Sequence, residues 1–212
     1  MDNNIKKIAV CIPTYNTISS VFFVWFSETL EIWRKKYYVK VFTISTQPVD
    51  YARNKLINLV LTNDEKFDFI FFIDSDNFFS PDYLDILIKH DLDIVSGLYF
   101  ARVHPYNPVA FKSNGQDIDI IRDFKLGELM EVDSIGLGCC LIKPEVFTKL
   151  KFPYFKFEIS NNEKGLKYMS EDRYFCKLAK EAGFSVFLDT KVLCRHYGAD
   201  VGIEHNQFLA NF

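Results

Sequence analysis

The chain has 212 residues, 49% of them hydrophobic, and a formal net charge of −3 at pH 7. That length can bury a substantial core in one domain or two fused halves, and the apolar share leaves no compositional case for disorder. The negative balance argues against nucleic acid as the main partner, because counterion-driven binding needs a basic surface.

In chain order, the polar Met1-Asp2-Asn3-Asn4 leads straight into a strand, so no secretory signal is expected. Ile8 to Ile12 reads as a short buried strand ending at Pro13-Thr14-Tyr15-Asn16. A helix is predicted from about Ser19 to Lys35. Its apolar stretch Val21 to Phe26 is too short to span a bilayer and is expected to form a helix face buried in the core. Val39 to Ser45 alternates as a second strand, and Asp50 to Leu61 reads as a second helix. Phe69-Ile70-Phe71-Phe72-Ile73 is a run of bulky apolar residues, the pattern of a strand covered on both faces. A helix follows from Pro81 to about His90, with Ser80 as N-cap and Pro81 at the first helical position, then the strand Ile94-Val95-Ser96. Strands alternating with helices predict an α/β fold with a mostly parallel central sheet flanked by helices.

The second half is less regular, broken by Pro105, Pro108, Asn114-Gly115 and Gly127. Glu131 to Ile142 reads as one strand interrupted by Gly136 and Gly138. Glu171 to Gly183 reads as a helix with Ser170 as N-cap and Gly183 just past its end, leading to the strands Ser185 to Leu188 and Lys191 to Cys194. The five cysteines are odd in number and lack CxxC spacing, so free buried thiols are expected and a zinc site is not. With no transmembrane segment and no signal, the expected location is cytoplasmic.

Asp74-Ser75-Asp76 directly follows the most apolar strand. Open α/β sheets bind ligands at the carboxyl ends of their strands. In an extended segment, residues i and i+2 project to the same side. Two hard oxygen ligands there suit Mg²⁺ or Mn²⁺ carrying a diphosphate. Helix capping is the competing role for such acids, but the helix start at Ser80 lies too far downstream to need them.

Together with this motif, Ile12 to Asn16, the segment Asp50-Tyr51-Ala52-Arg53-Asn54, Gly136 to Leu141, and Ser170-Glu171-Asp172 with the later His196 resemble the GT-A fold glycosyltransferases. The resemblance is to the inverting enzymes that use nucleotide-diphosphate sugars and covers nearly the whole chain. A nearer likeness is to glycosyltransferase modules encoded by large algal DNA viruses. It implies one GT-A domain over 1–212, with a nucleotide-binding half (1–100) and an acceptor or catalytic half (101–212).

The resemblance also implies site residues. Pro13, Thr14, Tyr15, Asn16, Arg53, Asp74, Ser75 and Gly138 would contact the donor, most simply a UDP-sugar. Asp76, supported by Asp74 and His196, would hold Mn²⁺ or Mg²⁺, with His205 as a rival imidazole. Asp172 would be the base that deprotonates a hydroxyl on a glycan or other acceptor, giving inversion.

Each assignment competes with a simpler role. Arg53 would otherwise form a surface ion pair, and Thr14 and Asn16 ordinary turn contacts. Gly136 and Gly138 would otherwise mark a bulge or tight strand packing. Glu171 and Asp172 would otherwise cap a helix, their charge favoured by the helix dipole. Tyr99, Arg102 and His104 follow the fourth strand and would touch diphosphate or acceptor, or else face solvent. A sugar-nucleotide pyrophosphorylase is an alternative, although no Gly-rich basic loop follows the first strand. A catalytically inactive nucleotide- or carbohydrate-binding module is another. The abrupt Asn211-Phe212 end suits a piece of a larger multidomain chain.

Overall fold

The computed structural model describes residues 5–113, 118–162, 165–197 and 202–203. Met1 to Asn4, Asn114-Gly115, His205 and Asn211-Phe212 lie outside the described residues. The first half runs β1 (Lys7–Thr14), α1 (Ser20–Arg34), β2 (Tyr38–Ser45), α2 (Val49–Leu61) and β3 (Phe69–Ile73), then β4 (Asn77–Phe78), α3 (Tyr83–Lys89) and β5 (Ile94–Leu98). The next stretch holds β6 (Ala110–Ser113), β7 (Ile118–Ile120), β8 (Leu129–Val132), β9 (Ser134–Ile135), β10 (Cys139–Ile142) and α4 (Pro144–Lys149). Then come the hairpin β11 (Glu158–Asn162) and β12 (Gly165–Met169), α5 (Glu171–Glu181), β13 (Val186–Leu193), β14 (Arg195–Tyr197) and β15 (Gly202–Ile203).

The central sheet has the order β2-β1-β3-β10-β5-β13-β8. Strands β2, β1, β3, β5 and β13 run one way, while β10 and β8 run against them. The fold is thus mixed α/β, with parallel pairing on either side of an inserted antiparallel strand. The insertion has a local cause: Cys139 starts β10 beside Ile73, at the carboxyl end of β3, so the strand can only run back toward the other edge.

Side-chain alternation sorts the core into two layers. Ala9, Cys11, Ile70 and Phe72 pack with Leu56 and Ile57 of α2, Phe147 of α4 and Phe175 of α5. Ile8, Val10, Phe69 and Phe71 pack on the other face with Phe22 and Trp33 of α1 and Leu84 and Leu87 of α3. All five residues of β3 are buried, as its sequence predicts, and all five cysteines are free and buried. None of the helices among the described residues is long and apolar enough to cross a membrane.

Three expectations need correction. In the stretch Val21 to Phe26 only Phe22 is fully buried, while Val21, Phe23 and Val24 are 51%, 60% and 54% exposed. Six consecutive apolar residues exceed one helical turn, so they cannot all face the sheet. Helix α3 begins at Tyr83 with Asp82 at its cap, not at Pro81. The Pro81 carbonyl instead accepts the Trp33 indole N–H at 2.8 Å, and the Tyr83 N–H closes a turn on the Ser80 carbonyl. The segment Glu131 to Ile142 is not one interrupted strand, because β8 and β10 lie apart in the central sheet and β9 pairs with β6 in a separate one.

Candidate active site

A cavity of about 530 Å³ opens at the carboxyl ends of β1, β2 and β3. Pro13 and Thr14 at the end of β1 and Tyr15 just past it line the cavity, as do Asp74, Ser75 and Asp76 after β3. Arg53 of α2, Glu171 at the start of α5, and His196 of β14 complete the part that the sequence singles out. Thr46, Gln47, Pro48 and Val49, Arg102 and Phe157 also line it. Asn16, Gly138 and Asp172 do not form its wall. The residues after β2 carry no motif, but they follow a parallel strand that ends on the same rim, and that topology is the signal for them.

Asp74-Ser75-Asp76 is not extended. The Asn77 N–H donates to the Asp74 carbonyl at 3.0 Å, closing a turn, and the Asp74 N–H donates to the Gly138 carbonyl at 3.1 Å. The two carboxylates therefore take different partners within one cleft. Asp74 Oδ1 accepts from Arg53 Nη2 at 2.9 Å, while Asp76 Oδ2 accepts from Arg102 Nη1 at 2.9 Å. Asp76 Oδ1 lies 3.5 Å from His196 Nε2. Burial works against ionisation of Asp76, but the contact with His196 and the charges of His196 and Arg102 outweigh it, holding its carboxyl below the usual range.

Arg53 occupies the deepest position. Its Nε donates to Glu171 Oε1 at 3.2 Å and its Nη2 to Asp74, so the ion-pair alternative to a diphosphate contact is the arrangement present. The pair is buried, not at the surface: the Arg53 and Glu171 side chains are 4% and 9% exposed. Burial alone would lower the Arg53 pKa, and the charges of Asp74 and Glu171 raise it above its ordinary value. Arg53 Nη1 is buried and makes no hydrogen bond among the described residues.

Asp172 stands next to Glu171 on the first turn of α5. Ser170 lends no side-chain hydrogen bond to a helix N–H; its hydroxyl donates to Asp172 Oδ1, which also accepts the Arg173 N–H at 2.7 Å. Burial raises the Asp172 carboxyl above the usual range, and these hydrogen bonds and the Arg53 charge only partly offset it. Glu171 is likewise raised, by burial first and by the Asp172 charge, against the pull of Arg53. For both acids burial is the largest influence, and it favours the neutral form.

Gly138 packs behind the cleft. A Cβ there would overlap the Asn77 amide and lie 3.2 Å from Asp74 Oδ2, so the tight-packing alternative describes it. Its N–H donates to the Tyr99 hydroxyl at 3.2 Å. Tyr99 is buried, not solvent-facing, whereas Arg102 and His104 are exposed and only Arg102 lines the cleft. Asn16 takes a left-handed conformation, φ 59°, which asparagine tolerates in turns.

Among the described residues there is no group of three or more His, Cys, Asp or Glu side chains disposed to hold a metal ion. Asp76 and His196 nonetheless fit one as a pair. His196 Nδ1 lies 2.8 Å from the Phe100 carbonyl oxygen, so Nδ1 carries a proton and Nε2 is the ring nitrogen turned toward Asp76. Mg²⁺ and Mn²⁺ commonly take one or two protein ligands and complete their shells with water and phosphate oxygens. Asp74 turns its Oδ1 onto Arg53.

No family model matches this chain, and no curated protein sequence matches it. Among solved structures it is similar to A197 from STIV, with a TM-score of 0.65 and 17% identity over 95% of this chain and 91% of that one. It is also similar to the catalytic domain of Drosophila beta1,4galactosyltransferase 7 in complex with xylobiose, with a TM-score of 0.51 and 15% identity over 89% of this chain and 66% of that one. At these identities the likeness is one of fold: a mixed α/β architecture shared with a galactosyltransferase catalytic domain.

Proposed function

We propose that this protein is a metal-dependent GT-A glycosyltransferase that moves a sugar from a UDP-linked donor to a hydroxyl of a glycan or other acceptor, with inversion. The observation that carries the reading is the pairing of Asp76 with a correctly oriented His196 on the rim where the parallel strands end. The fold shared with a galactosyltransferase catalytic domain supports it.

In this reading Asp76 and His196 hold Mn²⁺ or Mg²⁺, and Asp74 fixes the turn through Arg53. The bound cation supplies neutralisation of charge developing on the departing diphosphate. Pro13, Thr14 and Tyr15 form the wall for the nucleoside, and Ser75 offers a hydroxyl beside the phosphates. Asn16 sets the turn that presents Tyr15, and Gly138 lets the wall close behind Asp74. Asp172, set just behind the wall beside Glu171, takes the proton of an acceptor hydroxyl that reaches it past that edge of the cleft. Its raised pKa brings it nearer to ambient pH, which favours a general base. Glu171, held by Arg53, orients that end of the helix. One base acting on one nucleophile gives a single in-line displacement and an inverted product.

The test is a panel of nucleotide sugars screened for Mn²⁺-dependent binding, hydrolysis and transfer, with Asp76→Ala alongside. UDP-sugar turnover that is lost in the variant and in excess chelator supports the reading. Undiminished turnover in either condition rejects the metal role. Tight binding of an intact UDP-sugar with no turnover on any acceptor identifies a binding module instead.

A further inference from the structure

Each acid of the Asp-Ser-Asp turn is held by one arginine, and the two arginines differ in kind. Arg53 is buried and bridges two carboxylates, so its removal would strand both. Arg102 has a side chain 50% exposed and, among the described residues, pairs only with Asp76. It lies on the segment after β5 and lines the cleft. Its contact is made to Asp76 Oδ2, while Oδ1 is the oxygen that faces His196.

We infer that Arg102 is an exchangeable counter-ion of the metal site: it holds Asp76 while the cleft is empty, yields that carboxylate to a divalent cation, and then binds the diphosphate that the cation brings. This rests on the metal-dependent reading above. The physics is a competition for one anion. A half-exposed arginine–carboxylate pair is weak, because solvent screens it and the side chain pays entropy to stay. A divalent ion carries twice the charge and takes a second ligand from His196, so it wins Asp76. The displaced guanidinium remains tethered beside the metal, where a diphosphate offers oxygens spaced for its fork of N–H donors. Arg53 is held by two carboxylates at once in a buried position, Asp74 through Nη2 and Glu171 through Nε, and so stays where it is. The arginine that moves onto the diphosphate is therefore Arg102.

The exchange predicts effects of opposite sign from one substitution. Mn²⁺ binding, followed by the loss of the free-ion paramagnetic resonance signal, should be about two- to five-fold tighter in Arg102→Gln than in the wild type, the worth of an exposed ion pair. UDP binding in saturating Mn²⁺, measured by calorimetry, should be about ten- to a hundred-fold weaker in the same variant, the worth of charge-assisted hydrogen bonds. Arg102→Lys should recover part of the UDP affinity. A variant that weakens both ligands, or leaves UDP affinity unchanged, overturns the exchange while the metal site stands. A wild type that binds no Mn²⁺ removes the metal reading itself, and the exchange with it.

Discussion

Arg53 of α2 and Glu171 of α5 meet inside the molecule, Nε to Oε1 at 3.2 Å, although 118 positions separate them in the chain. The pair joins the end of the segment that carries Arg53 to the helix that carries Asp172. The floor of the cleft is therefore set by a contact between the two halves of the sequence.

Removing one partner should be costly. Arg53→Met leaves Glu171 and Asp74 without their buried cation, and urea unfolding should show a loss of about 3–5 kcal/mol. The double variant Arg53→Met, Glu171→Met should regain part of that loss, because the stranded acid is gone. A single-variant loss below about 1 kcal/mol would place the pair at an effectively solvated site.

The direction of the Asp172 shift fixes a pH dependence. Its raised pKa means the folded protein holds that proton more tightly than the unfolded chain. The associated stability is complete below the unfolded pKa and is lost as pH rises through the folded one. Asp172→Asn carries no such loss, so the stability of the variant relative to wild type should climb with pH across that window. Melting curves of the two proteins from acid to neutral pH measure it. A difference that falls with pH would mean that the dipole, not burial, rules the site.

Activity gives a separate reading of the same residue. Asp172→Asn should bind UDP and Mn²⁺ as wild type does, yet transfer sugar about 10²–10⁴-fold more slowly. Proton NMR of the early product should report an anomeric configuration opposite to the donor's. Retention of configuration, or normal transfer by the variant, removes Asp172 as the base.

Gly138→Ala tests the back wall. The added methyl meets the Asn77 side-chain amide and crowds the Asp74 carboxylate, so those side chains, the turn or β10 must shift. A destabilisation of about 1–3 kcal/mol is expected, as for overpacking elsewhere. Weaker UDP binding should accompany it through the displaced Asp74. A variant of unchanged stability would show that the wall yields freely.

Much of the frame was legible in the sequence because β1, β2, β3 and β5 are marked by apolar runs, and their ends follow from where those runs stop. The course of Glu131 to Ile142 was not, since a glycine-broken apolar segment reads the same whether it stays in one strand or is shared between sheets. The acids after β3 were found by position. Their partners were not, because which arginine reaches which carboxylate depends on contacts between segments far apart in the chain, such as Asp76 with Arg102. Glu171 was read as a helix cap for the same reason: its buried partner lies on α2.

The antiparallel β10 also sets an order of events at the ribosome. Strands β3 and β5 leave the tunnel early, and the segments that follow them make the Asp76–Arg102 contact, yet the two strands do not touch in the sheet. The strand that belongs between them is synthesised only after β6 to β9. A nascent chain holding β1 to β5 thus exposes one unpaired edge of Phe69–Ile73 and both edges of Ile94–Leu98, which can adhere to each other or to a neighbouring copy. Until Cys139–Ile142 and then Val186–Leu193 emerge, the half of the molecule that bears Asp74 and Asp76 keeps these strand edges open to association.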